Sequence, residues 1–554
     1  MYKDGLIWAA KNAEGENFSI LPKMANRHGL IAGATGTGKT ISLKVLAESF
    51  SDAGVPVFLA DVKGDLAGMI APGVHSEDMQ KRFVKFGLEE AGFRYQSYPA
   101  TFWDIYGKKG IQLRTTITEM GPLLLSRILD LNDLQTDILT IVFKIADDQD
   151  LLLIDTKDLK SMLNYVDENK NAFQAEYGRI TAASIGAIMR SLIALELAGG
   201  DVFFGEPALS IHDFMTVGAG GKGMINILDS ETLINNGKLY STFLLWMISE
   251  LFETLPEVGD LPLPKMVFFF DEAHLLFNGA SKTLLDKIEQ VVKLVRSKGV
   301  GIYFVTQNPR DIPDGVLAQL GNKIQHGLRA YTPSEQKNIK AAADSFRANP
   351  EFNTIEAISS LGTGEAVISF LDEKGTPGMA QKVAILPPQS RMGSITDEER
   401  DMAIKSALLF GKYAVAHDPD SAYEFLQRRG IEMEEAAAKA AEEAAAAKQA
   451  ELEAKEAAKQ AEKEAKEAAK QAEREEKEAQ KAAEKAAREE QKEKEKRANA
   501  AKKAAKQVGS SVAGTVGREV GKTVGGTFGK FGKTLGGNLG ASLGRGLLST
   551  LFKG

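Results

Sequence analysis

Lys39 and Thr40 close the octapeptide Gly33-Ala34-Thr35-Gly36-Thr37-Gly38-Lys39-Thr40, which fits the pattern G-x-x-x-x-G-K-[ST]. Gly33, Gly36 and Gly38 let the backbone curl so that successive N–H groups point inward. With the N-terminus of a following helix, those donors form a seat for a polyphosphate. Lys39 then reaches the β- and γ-phosphates as a point charge, and the Thr40 hydroxyl binds Mg²⁺. A second group lies far along the chain, where the apolar run Met266-Val267-Phe268-Phe269-Phe270 ends in Asp271-Glu272. Asp271 suits a water-mediated hold on Mg²⁺, and Glu272 suits the orientation or deprotonation of an attacking water. An apolar run ending in Asp-Glu is a weak signal alone. Paired with Gly33–Thr40 it predicts an ATP-hydrolysing site with Mg²⁺.

These residues need a parallel sheet behind them. His28–Ala32 reads as the strand entering the glycine loop, and Ile41–Glu48 as the helix leaving it. Val55–Asp61, Gly223–Asp229, Lys265–Phe270, Gly301–Thr306, Lys323–Arg329 and Gly364–Leu371 read as further strands, with Gln381–Leu386 beside the last. Gly5–Ala10 and Asn17–Ile20 read as an N-terminal hairpin. The fold class is α/β, with active groups at the C-terminal tips of the strands, where open α/β sheets bind ligands. Asp61 sits at such a tip. Two roles stand for it, ordering the waters of the metal or capping the turn that follows. In one large division of phosphate-loop ATPases, a strand between the loop strand and the carboxylate strand carries a polar tip that touches the γ-phosphate. Gln307, after Gly301–Thr306, fits that role.

Composition sets bounds. The chain has 554 residues, 44% hydrophobic and 26% charged, with a net charge of −7. That length predicts more than one unit. The acidic balance gives no whole-chain signature for nucleic acid, although a local channel can still be basic. The absence of cysteine excludes disulfides and thiolate metal sites. Without a long apolar stretch at the N-terminus or a run of 18 apolar residues, the sequence reads as cytoplasmic.

We divide the chain into six parts. Residues 1–112 and 223–395 are the two parts of the ATPase core, and 113–222, apolar at helical spacing from Leu123 to Leu197, is a helical insertion between them. Pro387-Pro388 reads as the close of the globular unit. Residues 396–431 read as a short helical extension, 432–507 as a long Ala/Lys/Glu-rich charged helix, and 508–554 as a basic Gly-rich tail. AKEAAKQAEKE at Ala454–Glu464 recurs as AKEAAKQAERE at Ala465–Glu475. This 11-residue period favours a nearly straight helix, either a solvated spacer or an alanine-seamed coiled coil. In the tail, glycine recurs every fourth residue over Gly517–Gly529 and Gly532–Gly544, and six basic residues face one acidic residue, Glu519. A flexible end, self-association and contact with a membrane surface all remain open for it.

His28–Thr40, Asp61–Asp65, Phe268–His274 and Arg296–Pro309 together resemble the HerA–FtsK group of ATPases, and within it the bacterial HerA-like proteins. The resemblance covers roughly residues 1–430. It implies a RecA-like P-loop NTPase sheet, ATP hydrolysis, a homo-oligomeric ring of six subunits and translocation on double-stranded DNA. It also gives Arg296 a role. In FtsK-like relatives an arginine at the matching place reaches a neighbouring subunit's γ-phosphate, so Arg296 is the expected trans finger and Arg329 the reserve. A surface arginine at a helix end is the plainer reading. HerA itself carries an N-terminal β-barrel before the phosphate loop. Only 32 residues precede Gly33 here, which leaves a HerA-type nuclease partner without its docking domain. Two other functions compete with a DNA motor: a motor acting on protein or at a membrane, and a nucleotide-gated scaffold with little turnover. A base at Glu272 argues against the scaffold.

Overall fold

A computed structural model describes residues 1–280 and 282–494. The described chain divides into two compact units, Met1–Gln427 and 428–494. The first is built on one 13-stranded sheet. Its strands are β1 (Tyr2–Lys3), β2 (Leu6–Asn12), β3 (Asn17–Ile20), β4 (Gly29–Ala32), β5 (Val57–Asp61), β6 (Ala100–Asp104) and β7 (Ile111–Gln112), then β8 (Ile225–Asp229), β9 (Met266–Phe270), β10 (Val300–Thr306), β11 (Asn322–His326), β12 (Glu365–Ser369) and β13 (Gln381–Ile385). The spatial order is β1-β2-β13-β12-β11-β4-β10-β9-β5-β8-β6-β7, with β3 on β2. From β11 to β7 every pairing is parallel. The β12, β13 and β2 flank is antiparallel.

The sequence explains both the burial and the parallel pairing. Strands β9 and β10 are buried along their whole length, as a sheet covered on both faces requires. Period-2 alternation assigns their side chains to two cores. Phe268, Phe270, Ile302 and Phe304 face the helical insertion and the Gly237–Thr254 helix. Val267, Phe269, Tyr303 and Val305 face Leu43, Leu46 and Phe50 of the Lys39–Asp52 helix. Each of these large side chains contributes about 1.5–3 kcal/mol by leaving water. The core therefore anchors the strands whose tips carry the chemistry.

The insertion is helical at Ile117–Ile128, Asp133–Asp148, Thr156–Glu168, Lys170–Tyr177 and Ala182–Leu197. Capping boxes start three of these helices, at Thr116/Glu119, Asn132/Gln135 and Asp155/Asp158. Beyond Leu197 the stretch assigned to the insertion is loop and short 3₁₀ turns up to β8. Strands β6 and β7 also extend the sheet where the sequence reading placed none. They are five and two residues long, too short to show alternation.

Pro387-Pro388 does not close the unit. The Asp397–Ser406 helix lays Arg400 against Asp229 at 3.5 Å and over the Phe102 ring. Tyr413 is fully buried beside Trp103. The sequence marks this segment only as a short helical extension, yet Ile404, Leu409 and Phe410 also pack against the core beside Arg400 and Tyr413. The long helix runs Ala422–Lys494, beginning ten residues before the expected start at Glu432. Its 73 residues correspond to about 110 Å. Lys455 and Lys466 bridge Glu451 and Glu462 one turn back. Residues 495–507 of the expected helix and the Gly-rich tail, 508–554, lie outside the described residues. Among the described residues no single helix is long and apolar enough to cross a membrane.

Candidate nucleotide site

The glycine loop joins β4 to the Lys39–Asp52 helix. Gly33, Gly36 and Gly38 have φ of +154°, +76° and +118°, which glycine adopts without the Cβ clash that other residues meet. A Cβ on Gly33 would stand 2.5 Å from the Cβ of His326. The loop is tied on both sides: Gly33 N donates to Thr306 O on β10 at 3.3 Å, and Ala34 N to Gly327 O after β11 at 3.0 Å. Thr37 Oγ1 closes the turn on Ala34 O, leaving Thr35 and Gly36 at the exposed apex. Lys39 Nζ donates to Gly33 O at 2.6 Å and to Ala34 O at 3.1 Å. Burial lowers the pKa of Lys39, and the charges of Asp271 and Glu272 oppose that shift. Thr40 lies in the first helical turn.

His326 forms the floor of the loop. Fully buried, it binds Ser42 Oγ through Nε2 at 2.8 Å and Glu365 O through Nδ1 at 2.9 Å. Burial brings its pKa down to about 4, so the ring is neutral beneath the loop at physiological pH. The sequence reading gave this histidine no role.

Strand β10 lies between the loop strand β4 and the carboxylate strand β9, with Thr306 in register with Ala32 and Phe304 with Phe270. The tips of the three strands therefore meet at one rim. Burial, followed by the charge of Glu272, raises Asp271 to about 6. Its carboxylate accepts the Glu272 N–H at 2.9 Å, and Tyr240 OH donates to its main-chain carbonyl at 2.7 Å. Glu272 has φ +47°, a left-handed conformation that costs a non-glycine residue about 1–3 kcal/mol. The main chain turns sharply there and is pinned by Ala273 N to Val305 O at 2.9 Å. Gln307 Nε2 donates to Glu272 Oε1 at 3.4 Å. Glu272 Oε2 is buried and lacks a hydrogen bond, with His274 Nδ1 3.3 Å away. Two adjoining carboxylates, one raised by its surroundings and one with an orphaned oxygen, fit a divalent cation and its waters. Thr40 and Asp271 are the residues that would hold it.

Neighbouring strands add groups that periodicity does not show. Asp61, at the tip of β5, gives both oxygens to backbone: Oδ1 accepts Gly64 N at 2.8 Å, and Oδ2 accepts Leu66 N and Ala67 N at 3.0 and 3.2 Å. Of its two expected roles, the structure shows the turn cap. The capped loop leaves Lys63 exposed, and its charge acts on both Lys39 and Asp271. Arg127, from the insertion, reaches the carbonyls of Leu275, Leu276 and Asn278 at 3.4, 3.1 and 3.5 Å. It thereby clamps the short His274–Phe277 helix that follows Glu272.

Arg296 is not brought to this rim. It lies in the Arg296–Lys298 turn before β10, at the opposite end of a strand spanning about 20 Å. Arg296 and Arg27 share Asp260, at 4.0 and 3.5 Å. Arg329 does follow β11 on the loop's rim, but its guanidinium is committed to the carbonyls of Ser359 and Leu361.

A parallel sheet with a glycine loop, a carboxylate tip and a polar tip between them defines a RecA-like P-loop NTPase. The chain belongs to the helicase HerA-like C-terminal family, whose sequence profile matches residues 8–533. It is 30% identical over 146 residues to the probable helicase MJECL08 of Methanocaldococcus jannaschii, covering 26% of each chain. It is 35% identical over 109 residues to the DNA double-strand break repair helicase HerA of Sulfurisphaera tokodaii, covering 20% of this chain and 21% of that one. The chain thus aligns with about a fifth to a quarter of the length of these relatives. Among solved structures it resembles the bacterial conjugative coupling protein TrwB, with a TM-score of 0.44, 13% identity and coverage of 68% of this chain and 88% of that one. VirB4 of Thermoanaerobacter pseudethanolicus gives 0.41, 15%, 72% and 99%.

Proposed function

We propose that the chain hydrolyses ATP with Mg²⁺ as a homo-oligomeric ring of six subunits and uses the cycle to move along double-stranded DNA. The hydrogen bond from Gln307 to Glu272, made at the rim that holds Lys39 and Thr40, is the observation that carries this reading. It sets a base beside a polar sensor at the γ-phosphate end of the loop. In this account the loop N–H groups and Lys39 bind the polyphosphate. Thr40 and Asp271 would hold Mg²⁺, which would supply positive charge against the phosphoryl oxygens. Glu272 orients and deprotonates the attacking water, and Gln307 holds Glu272 in place and reports the γ-phosphate to β10. Arg296, far from its own loop, is available to complete a neighbour's site in trans. The HerA helicase named above is a DNA repair protein, and that resemblance supports DNA as the track.

A motor on protein or at a membrane surface is the second reading, favoured by the six basic residues of the tail. The test measures ATP hydrolysis by the full chain with linear double-stranded DNA and with anionic vesicles. Stimulation by DNA supports the first reading. Stimulation by vesicles alone replaces it with the second.

A further inference from the structure

The order of the strands gives the nucleotide site a direction. The carboxylate and glutamine tips lie on the β10–β9 side of the loop strand, and β11 and β12 lie on the other. With the γ-phosphate against Glu272 and Gln307, the nucleoside end of a bound nucleotide points toward β11 and β12.

Three observations meet on that side. β12 runs antiparallel to β11, with Ala366 opposite His326, so its first residues stand at the rim beside the loop. Gly364, just before it, donates its N–H to Thr37 O at 3.0 Å, and its Cα lies 3.3 Å from where a Cβ on Gly38 would be. Its φ of +80° and its lack of a side chain leave a flat floor of backbone. The Glu77–Phe86 helix forms the wall, packing Met79, Phe83 and Phe86 into one cluster with Val45 and with Ile41, the residue after Thr40. From this wall Arg82 points at the floor, its Nη2 3.2 Å from where a Cβ on Gly364 would be. Among the described residues no carboxylate pairs with Arg82.

We infer that Arg82, over the floor at Gly364, receives the nucleoside end of bound ATP. A guanidinium is planar and always charged, and it stacks on aromatic faces. An adenine ring leaving the loop on this side meets that plane. Arg82 is therefore a nucleoside-binding residue, and the polyphosphate is held by the loop and Lys39. The inference rests on reading Gly33–Thr40 as an ATP site.

Titration calorimetry of the full chain with MgATP, MgADP and magnesium tripolyphosphate tests both levels. Arg82→Ala is expected to weaken ATP and ADP roughly tenfold and to leave tripolyphosphate unchanged. Arg82→Lys, which keeps the charge but loses the plane, is expected to restore little. The thermal midpoint of the nucleotide-free variants should match the parent, because no carboxylate among the described residues pairs with Arg82. Unchanged ATP affinity in Arg82→Ala overturns the inference. So does an equal loss for tripolyphosphate, or full rescue by Arg82→Lys, since either makes Arg82 a phosphate contact. Lys39→Ala is expected to abolish binding of all three. If it does not, the site reading falls and takes the inference with it.

Discussion

Gln307 and Glu272 are joined by a 3.4 Å hydrogen bond across the tips of two adjacent parallel strands, β10 and β9. The bond ties the residue proposed as base to the residue proposed to sense the γ-phosphate. Neither strand could move along its axis without changing it. Gln307→Leu removes the donor and leaves Glu272 Oε1 without this partner. The variant should bind ATP with near-parental affinity and lose about 10²-fold in kcat, the scale of a displaced general base. Steady-state kinetics separate the two parameters. A raised KM with unchanged kcat would mean that Gln307 serves only binding.

Arg127 carries a parallel dependence from the helical insertion. It holds the carbonyls that end the His274–Phe277 helix and also contacts Ser241 Oγ at 3.2 Å. Arg127→Ala leaves these acceptors unpartnered and should lower stability by about 2 kcal/mol. It should also reduce turnover by loosening the segment after Glu272. Thermal unfolding and ATPase assays on the same preparation check both effects. A stable variant with full activity would separate the insertion from the site.

A pH dependence follows from His28, which is buried between β10 and the helix before it. Its Nδ1 accepts the Ile302 N–H at 3.0 Å, and its Nε2 faces Val292 O at 2.8 Å. Burial, with a smaller push from the Arg296 charge, lowers its pKa to about 4. Between pH 6.5 and about 4 the unfolded chain binds the proton and the folded chain does not, so the contribution of His28 to stability falls as pH falls. His28→Asn does not titrate, and other groups are common to both proteins. Its deficit against the parent should be largest above pH 6.5 and narrow on acidification by about 1.4 kcal/mol per pH unit. Chemical denaturation at pH 7.5 and 5.0 measures the difference. A constant deficit would show that the imidazole is not held neutral.

The two residue groups that define the site were legible because each is local in sequence. Gly33–Thr40 and Phe270–Glu272 carry their chemistry within a few positions, and Gln307 was legible from its place in the order of elements. The structure then sets β10 between β4 and β9, the arrangement that the role assigned to Gln307 requires. What stayed hidden is non-local. His326 meets the loop helix through Ser42, 284 positions away, and Gly364 meets Thr37 through one backbone bond. Arg127 reaches the turn after Glu272 from another part of the core. No period or motif marks such pairs. Arg400 and Tyr413 were missed because their segment reads only as a short helical extension, and nothing local in it marks Asp229 or Trp103 as a partner. Asp61 had two roles in sequence, and only its hydrogen bonds to Gly64, Leu66 and Ala67 separate them.

The central claim is that this rim hydrolyses ATP with Glu272 as the base. Its most direct test measures phosphate release and nucleotide binding by the full chain and by Glu272→Gln, with MgATP and double-stranded DNA present. The account predicts that the parent releases phosphate and that the variant binds MgATP at least as tightly. It predicts a rate for the variant lower by roughly 10²–10⁴-fold, the range for removing a general base. A Glu272→Gln protein that hydrolyses ATP at the parental rate would contradict it.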